Sequence, residues 1–359
     1  MIWPFGDGPL GDWLQRRRAF QDIRRASAVD AAAISLSDSN PLYRAKVLLE
    51  IDDRAGAREF LAIARARIPD YVLTCPDTVD IMLGLGQFAE LEALALKGAK
   101  RFRRNPQYLE AYALAAERQR HFEEAVRRWA VVQKKFPHSR LGYINGVVCL
   151  RELGRLAEAE ALLARALRRM PDDMDVLLEA GRVANAREDW SEAYRRWHGI
   201  RERHSEGFVG AAYALHKLGR TAEAEALLAD ARFRHPIYRG IPVMQARIAE
   251  ESGNTAEALK RWGLVRERFP LDPAGYAEAI RLLRDLQLWA AADALALAAI
   301  DRFPAYDWPL ADYAALAHVR KDWTEAAKRW AALYAAFPNR QDASQKQAEA
   351  LAASVQSGG

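Results

Sequence analysis

Two cysteines, Cys75 and Cys149, are all the thiols in 359 residues. They form no CxxC pair and leave no disulfide framework and no thiolate metal site, so a reducing compartment is expected. Missing as well is any apolar run of roughly 18 or more residues, the length needed to cross a bilayer. Met1 to Leu10 lacks a basic start followed by an apolar stretch, so no secretory signal is read there and a cytoplasmic location is expected. The seven histidines make no HExxH motif and no Cys/His pairing suited to a metal. No glycine-rich phosphate loop occurs either, since Gly84-Leu85-Gly86 reads as a turn between helices. These gaps argue against an enzyme, and no metal or cofactor is expected.

Composition is that of a folded chain. Half the residues are hydrophobic and 28% are charged, too apolar for disorder, and the net charge of +5 is modest for the length. An acidic partner is permitted. Nucleic acid is disfavoured, because such domains concentrate their charge far more.

The organising signal is a period. Prolines at 137, 171, 236, 270, 304 and 338 are separated by 34, 65, 34, 34 and 34 residues, and Pro69 lies on the same grid. Twelve residues before each stands an alanine: Ala57, Ala125, Ala159, Ala224, Ala258, Ala292 and Ala326. Ala193 holds that place in a repeat without the proline, and Leu91 is the one exception. Four residues on, a large residue follows in most copies, as in Glu124-Ala125-Val126-Arg127-Arg128-Trp129 and Glu325-Ala326-Ala327-Lys328-Arg329-Trp330, which run on to Phe136-Pro137 and Phe337-Pro338.

On these residues the chain resembles the tetratricopeptide repeat family, whose 34-residue unit ends in A-x3-F and a proline. The resemblance implies an all-α protein, a right-handed α-solenoid of about nine helix-turn-helix repeats with a C-terminal capping helix. Repeats are expected over 38–340, thirty-four residues each except a fifth of 31. Residues 1–37 are expected to form a partly helical N-terminal segment, with a helix over 12–27, and 341–359 to supply the capping helix and a flexible tail. In that last helix Ala348 and Leu351 are expected inward, and Gln345, Lys346, Gln347 and Glu349 outward. Alanine opens the buried face of each second helix because a larger residue would force the helices apart. Glycine ends first helices, as at Gly154 and Gly219, and proline cannot continue the second.

Repeats three, five, seven and nine carry the Arg/Lys-Arg-Trp version, whereas four and six carry Ala-Glu-Ala-Glu-Ala-Leu-Leu, which suggests duplication in two-repeat units. Similar alternating arrays occur in proteobacterial proteins tied to glycan and polysaccharide assembly.

Most conspicuous residues have a packing explanation. Trp129, Trp197, Trp262 and Trp330 hold the core aromatic place, and Trp190, Trp289 and Trp323 open second helices; Trp3, Trp13 and Trp308 are freer to face a partner. The pairs Arg127-Arg128, Arg168-Arg169 and Arg195-Arg196, and the glutamates Glu158/Glu160 and Glu223/Glu225, read as solvated helix surface. Basic clusters also stand at Arg16-Arg17-Arg18 and at Lys97, Lys100, Arg101, Arg103 and Arg104.

First helices line the concave groove in this family, and the ninth residue of each repeat points into it. There the chain reads Lys46, Asp80, Leu114, Val148, Arg182, Tyr213, Arg247 and Arg281. The row of guanidiniums, with Asn145, Asn185, His216 and Arg284 nearby, suits carboxylate or phosphate recognition. Against it stands internal pairing with Glu179, Glu250 or Glu278. The expectation is a non-catalytic scaffold binding another protein or an acidic peptide segment in the groove. An accessory subunit of polysaccharide or glycan assembly, docking a membrane-associated glycosyltransferase, is the alternative, and an RNA-contacting repeat protein the weaker one.

Overall fold

The computed structural model describes residues 40–50, 53–68 and 75–357. The helix expected over 12–27, Trp3, Trp13 and Arg16-Arg17-Arg18 lie outside them. Every regular element among the described residues is an α-helix.

These residues fall into two compact units, divided between Gly219 and Arg220. The first holds α1 (Pro41–Glu50), α2 (Arg54–Arg67), α3 (Pro76–Gly84), α4 (Phe88–Arg101), α5 (Gln107–Arg118), α6 (Phe122–Lys135), α7 (Arg140–Glu152), α8 (Leu156–Arg169), α9 (Met174–Ala186), α10 (Trp190–Ile200) and α11 (Glu206–Lys217). The second holds α12 (Thr221–Arg234), α13 (Gly240–Glu251), α14 (Thr255–Arg268), α15 (Ala274–Asp285), α16 (Trp289–Arg302), α17 (Trp308–Val319), α18 (Trp323–Ala336) and α19 (Gln341–Ser357). Each unit is a stack of antiparallel helix pairs, an α-solenoid.

The turn inside each pair follows from one backbone need. A left-handed residue recurs at Gly86, Arg120, Gly154, Glu188, Gly219, Gly253, Gln287 and Lys321, with φ between 55° and 78°. It lets the next amide reach back five residues, as in His121 N–H to Ala116 O at 3.0 Å and Asp189 N–H to Ala184 O at 3.1 Å. This closes the carbonyl end of the first helix as a Schellman motif. The second helix then starts on a side-chain cap where one is available: Asp189, Asn254 and Asp322 accept from the amides of Glu192, Glu257 and Glu325. It stops before the proline, which disfavours helical geometry in the residue preceding it; Phe136, Phe269, Phe303 and Phe337 accordingly leave the helical region.

Packing centres on the periodic alanines. Ala57, Ala125, Ala159, Ala193, Ala224, Ala258, Ala292 and Ala326 have no exposed surface, and Leu91 is buried in the same place. Trp129, Trp197, Trp262 and Trp330 are fully enclosed. Two glycines make room for one of them: a Cβ at Gly181 or at Gly210 would stand 2.3 Å from the Trp197 ring. Trp190, Trp289 and Trp323 are half-buried. Trp308, expected to be free for a partner, is instead half-buried against Phe303, ring centroids 5.5 Å apart.

The arginine before each core tryptophan departs from the expected solvated surface. Arg128 of α6 donates to Glu124 one turn back (2.8 Å), to Glu92 of α4 (2.8 Å) and to the carbonyl of Tyr112 in α5 (2.8 Å). Arg196 makes the same three bonds to Glu192, Glu160 and the Ala180 carbonyl, at 2.6, 2.6 and 2.9 Å. Arg261 makes them to Glu257, Glu225 and the Gln245 carbonyl at 2.8, 2.5 and 2.7 Å. Arg329 makes them to Glu325, Asp293 and the Tyr313 carbonyl at 2.8, 2.7 and 2.9 Å. The separations are 4, 36 and 16 residues every time. Each arginine therefore staples three helices across a repeat boundary. Only the preceding residue of each pair is solvated: the Arg127 side chain is 73% exposed, that of Arg128 12%. Glu160 and Glu225 are acceptors in these staples, whereas Glu158 and Glu223 stay at the surface with Arg155 and Arg220. Alternation of repeat types is thus an ion-pair code, acid in one repeat and arginine in the next.

In α19 the buried stripe is Ala343 and Ala350, while Ala348 is exposed and Leu351 is 51% exposed. The inward face is instead the i, i+3, i+4, i+7 row of Ala343, Lys346, Gln347 and Ala350. Lys346, expected outward, lies half-buried on that row, its Nζ 4.6 Å from the centre of the Trp330 ring.

Candidate functional site

The predicted row lies on the first helices of the pairs. In the first unit Arg182 and Asn185 sit on α9, Tyr213 and His216 on α11 and Asn145 on α7; in the second, Arg247 sits on α13, Arg281 and Arg284 on α15. Each set is described within its own unit.

In the first unit the charge of Arg182 is matched internally. Its Nη1 lies 3.2 Å from Glu179, and its Nη2 donates to Glu206 of α11 at 2.8 Å. Glu179 is buried, so its carboxylate needs this partner, and Arg151 Nε lies 3.1 Å from its other oxygen. Arg182 is consequently a clamp joining α9 to α11. Asn185 is occupied too, accepting from the indole Nε1 of Trp197 at 3.2 Å. Tyr213 meets Trp190 edge-to-face with centroids 5.7 Å apart, and Lys217 Nζ lies 5.2 Å from the ring centre. His216 and Asn145 are half-buried, and Asn145 forms no hydrogen bond through its side chain to another described residue.

In the second unit Arg281 faces three carboxylates: Glu278 at 2.9 Å, Asp285 at 3.4 Å and, in a shorter contact, Glu250. Arg284 shares Asp285 at 3.0 Å. The same face carries Asp312, whose carboxyl is pushed up to about 6 by burial, with Glu278 adding to the rise and Arg284 opposing it. Arg247 stands apart. It is exposed and has no ion-pair partner among the described residues. The pairings with Glu179, Glu250 and Glu278 that compete with ligand binding are therefore formed, and Arg247 is the member of the row whose donors are left for a partner.

The helix pairs match a known repeat family over part of the chain. The tetratricopeptide repeat profile matches residues 111–173 and 175–236, each stretch two helix pairs long. The repeats within residues 111–236 are tetratricopeptide repeats. Tetratricopeptide packing also relates the chain to solved structures. Yeast Tom70 aligns over 97% of this chain and 96% of its own, with 14% identity and a TM-score of 0.57. A tetratricopeptide repeat protein from Parabacteroides merdae aligns over 64% of this chain and 92% of its own, with 15% identity and a TM-score of 0.47. The Tom70 likeness is one of fold. No curated protein matches the sequence.

Among the described residues no three His, Cys, Asp or Glu side chains gather as metal ligands, and no helix is long and apolar enough to cross a membrane. One further feature of the first unit has no signature in the repeat pattern. In the first unit a cavity of about 410 Å³ opens among α3, α5 and α7, with Leu114 and Asn145 in its wall. Leu114 belongs to the ninth-position row and Asn145 to its neighbours on the groove face.

Proposed function

We propose that this chain is a non-catalytic protein-interaction scaffold that takes an acidic segment of a partner protein on the first-helix face of its repeats. The observation that supports it is Arg247, an exposed guanidinium at the ninth position of its repeat with no internal counter-ion among the described residues. Arg281 and Arg284, one repeat further on, share its face in the second unit, and Arg182, Asn185, Tyr213, His216 and Asn145 form a separate proposed contact set within the first unit. A carboxylate arriving at Arg281 competes with Glu250, Glu278 and Asp285, so that residue contributes by exchanging partners. The alternation behind the glycan-assembly alternative is accounted for by the staples, which leaves the protein-scaffold reading the better supported one.

The test is capture from a lysate followed by mass spectrometry, comparing the unmutated chain with Arg247→Ala/Arg281→Ala. Arg127→Ala/Arg195→Ala is the control, because those side chains are 73% and 72% exposed and pair only within their own helices. Loss of the specific partners in the first variant and retention in the second is expected. The opposite pattern would move the site to the second-helix face.

A further inference from the structure

The 410 Å³ cavity of the first unit has chemistry opposite to that of the arginine row. Leu94, Leu114 and Leu141 form its walls and the buried Trp129 its floor. Two enclosed side chains on this cavity have polar atoms with nothing to bond. Thr78 is 1% and Tyr108 6% exposed, and neither hydroxyl oxygen has a hydrogen-bond partner among the described residues. Buried hydroxyls in native proteins are nearly always satisfied, so two orphans on one cavity mark a place where a guest supplies the bonds. The Asn145 carboxamide, also without a partner among the described residues, lines the same space.

The charge around the cavity is acidic. Asp80, Glu110 and Glu117 line it against Arg118. Glu110 accepts from Ser139 Oγ at 2.6 Å, and Glu117 accepts from the Trp129 indole at 3.0 Å. Burial raises the Glu117 pKa, a desolvated carboxyl that gains from an incoming cation. The rim residues Asp80, Gln107, Arg118 and Leu141 are exposed, so a guest chain can enter and leave along the surface while one side chain fills the interior. Pockets of this size ordinarily enclose most of a small ligand. One this open suits a side-chain anchor.

We propose that this cavity is a second recognition site, which takes a bulky apolar side chain of a partner protein with a lysine or arginine next to it in sequence. The apolar group occupies the leucine-lined space over Trp129, and the neighbouring cation meets Glu117 and Asp80. Backbone amides and carbonyls of the guest satisfy Thr78, Tyr108 and Asn145.

The test uses the full chain and a phage-displayed random dodecapeptide library. Enriched peptides should share a Leu, Phe, Trp or Met flanked by Lys or Arg, and a synthetic peptide of that consensus should bind measurably in calorimetry. Its affinity should fall at least tenfold in Leu114→Lys and severalfold in Glu117→Gln, and should be unchanged in Arg247→Ala. Melting curves establish that each variant is folded; if Leu114→Lys is not, the near-isosteric Glu117→Gln together with Asn145→Ala decides. Failure to enrich any peptide overturns the proposal, as does binding that survives these substitutions. Acidic peptides lost in Arg247→Ala but kept in Leu114→Lys would support the arginine site and overturn this one. An apolar molecule of constant mass retained in native mass spectrometry, or a dimer that dissociates on Leu114→Lys, would assign the cavity to another occupant and overturn it equally.

Discussion

Removing the guanidinium of Arg329 while keeping its stem tests whether the arginine staples hold neighbouring repeats together. Arg329 is the most enclosed of the four, its side chain 5% exposed, and its guanidinium carbon lies 3.5 Å from the centre of the Tyr313 ring. Arg329→Met keeps most of the packing volume and deletes bonds to Glu325, to both oxygens of Asp293 and to the Tyr313 carbonyl. Breaking a buried ion pair from one side costs about 3–5 kcal/mol, since it strands the remaining charge. Here the lower end applies, about 3 kcal/mol, because Asp293 is 20% exposed and keeps Arg320 at 2.6 Å. The neighbouring Lys328 is 54% exposed and 3.8 Å from Glu325, so Lys328→Met should cost less than about 0.5 kcal/mol. Asp293→Leu on top of Arg329→Met should cost clearly less than Asp293→Leu in the unmutated chain, because the pair it breaks is already gone.

Repeat arrays need not unfold in one step, so thermal melts should be accompanied by hydrogen exchange resolved to peptides. Amides of α16 and α18 should lose protection in Arg329→Met before those of α13. Equal behaviour of Arg329→Met and Lys328→Met, or strictly additive effects of the Arg329 and Asp293 substitutions, would refute the staple.

Three further outcomes are expected. Ala159→Leu should destabilise by about 1–3 kcal/mol through overpacking, whereas Ala157→Leu on the exposed side of α8 should leave the melting temperature nearly unchanged; similar melts for both would show that the helix contact is not close. Gln287→Gly should stabilise by about 0.5–1 kcal/mol, since Gln287 holds φ at 56° where a side chain is strained, and a lower melting temperature would contradict this. Asp312 has a folded-state pKa of about 6 against an ordinary 3.8, so its contribution is most favourable below about pH 4 and is lost as the pH rises through 6. Ionising this buried carboxyl costs at most about 3 kcal/mol, so Asp312→Asn should raise the melting temperature at pH 7.5 and barely at pH 4; an equal gain at both would refute it.

The fold was legible because its determinants are local and repeated. A proline that stops one helix and an alanine twelve residues earlier that lets another approach are both written at a fixed period. Charges behave otherwise. Whether Arg281 is free depends on Glu250, thirty-one residues away in sequence, and Arg182 depends on Glu206, twenty-four away. A row of cations on a pattern says nothing of the carboxylates packed beside it. The arginines of the staples looked like surface for the same reason: Arg127 and Arg128 are adjacent, yet one points to water and the other across three helices. For the cavity the signal was weaker still, because Thr78, Tyr108 and Asn145 share no repeat position and only packing brings them together.

The staples also fix the unit in which the array can be shortened. Excision of residues 106–173, two repeats, would bring Arg196 opposite Glu92, an acid already adapted to this contact in the intact chain. Excision of 140–173 alone would set Arg196 against Val126, leaving an enclosed guanidinium without an acid from the preceding repeat. A chain lengthened or trimmed by pairs keeps every arginine matched. One altered by a single repeat carries a buried charge mismatch at the junction, so this array has a parity that a 34-residue period alone does not reveal.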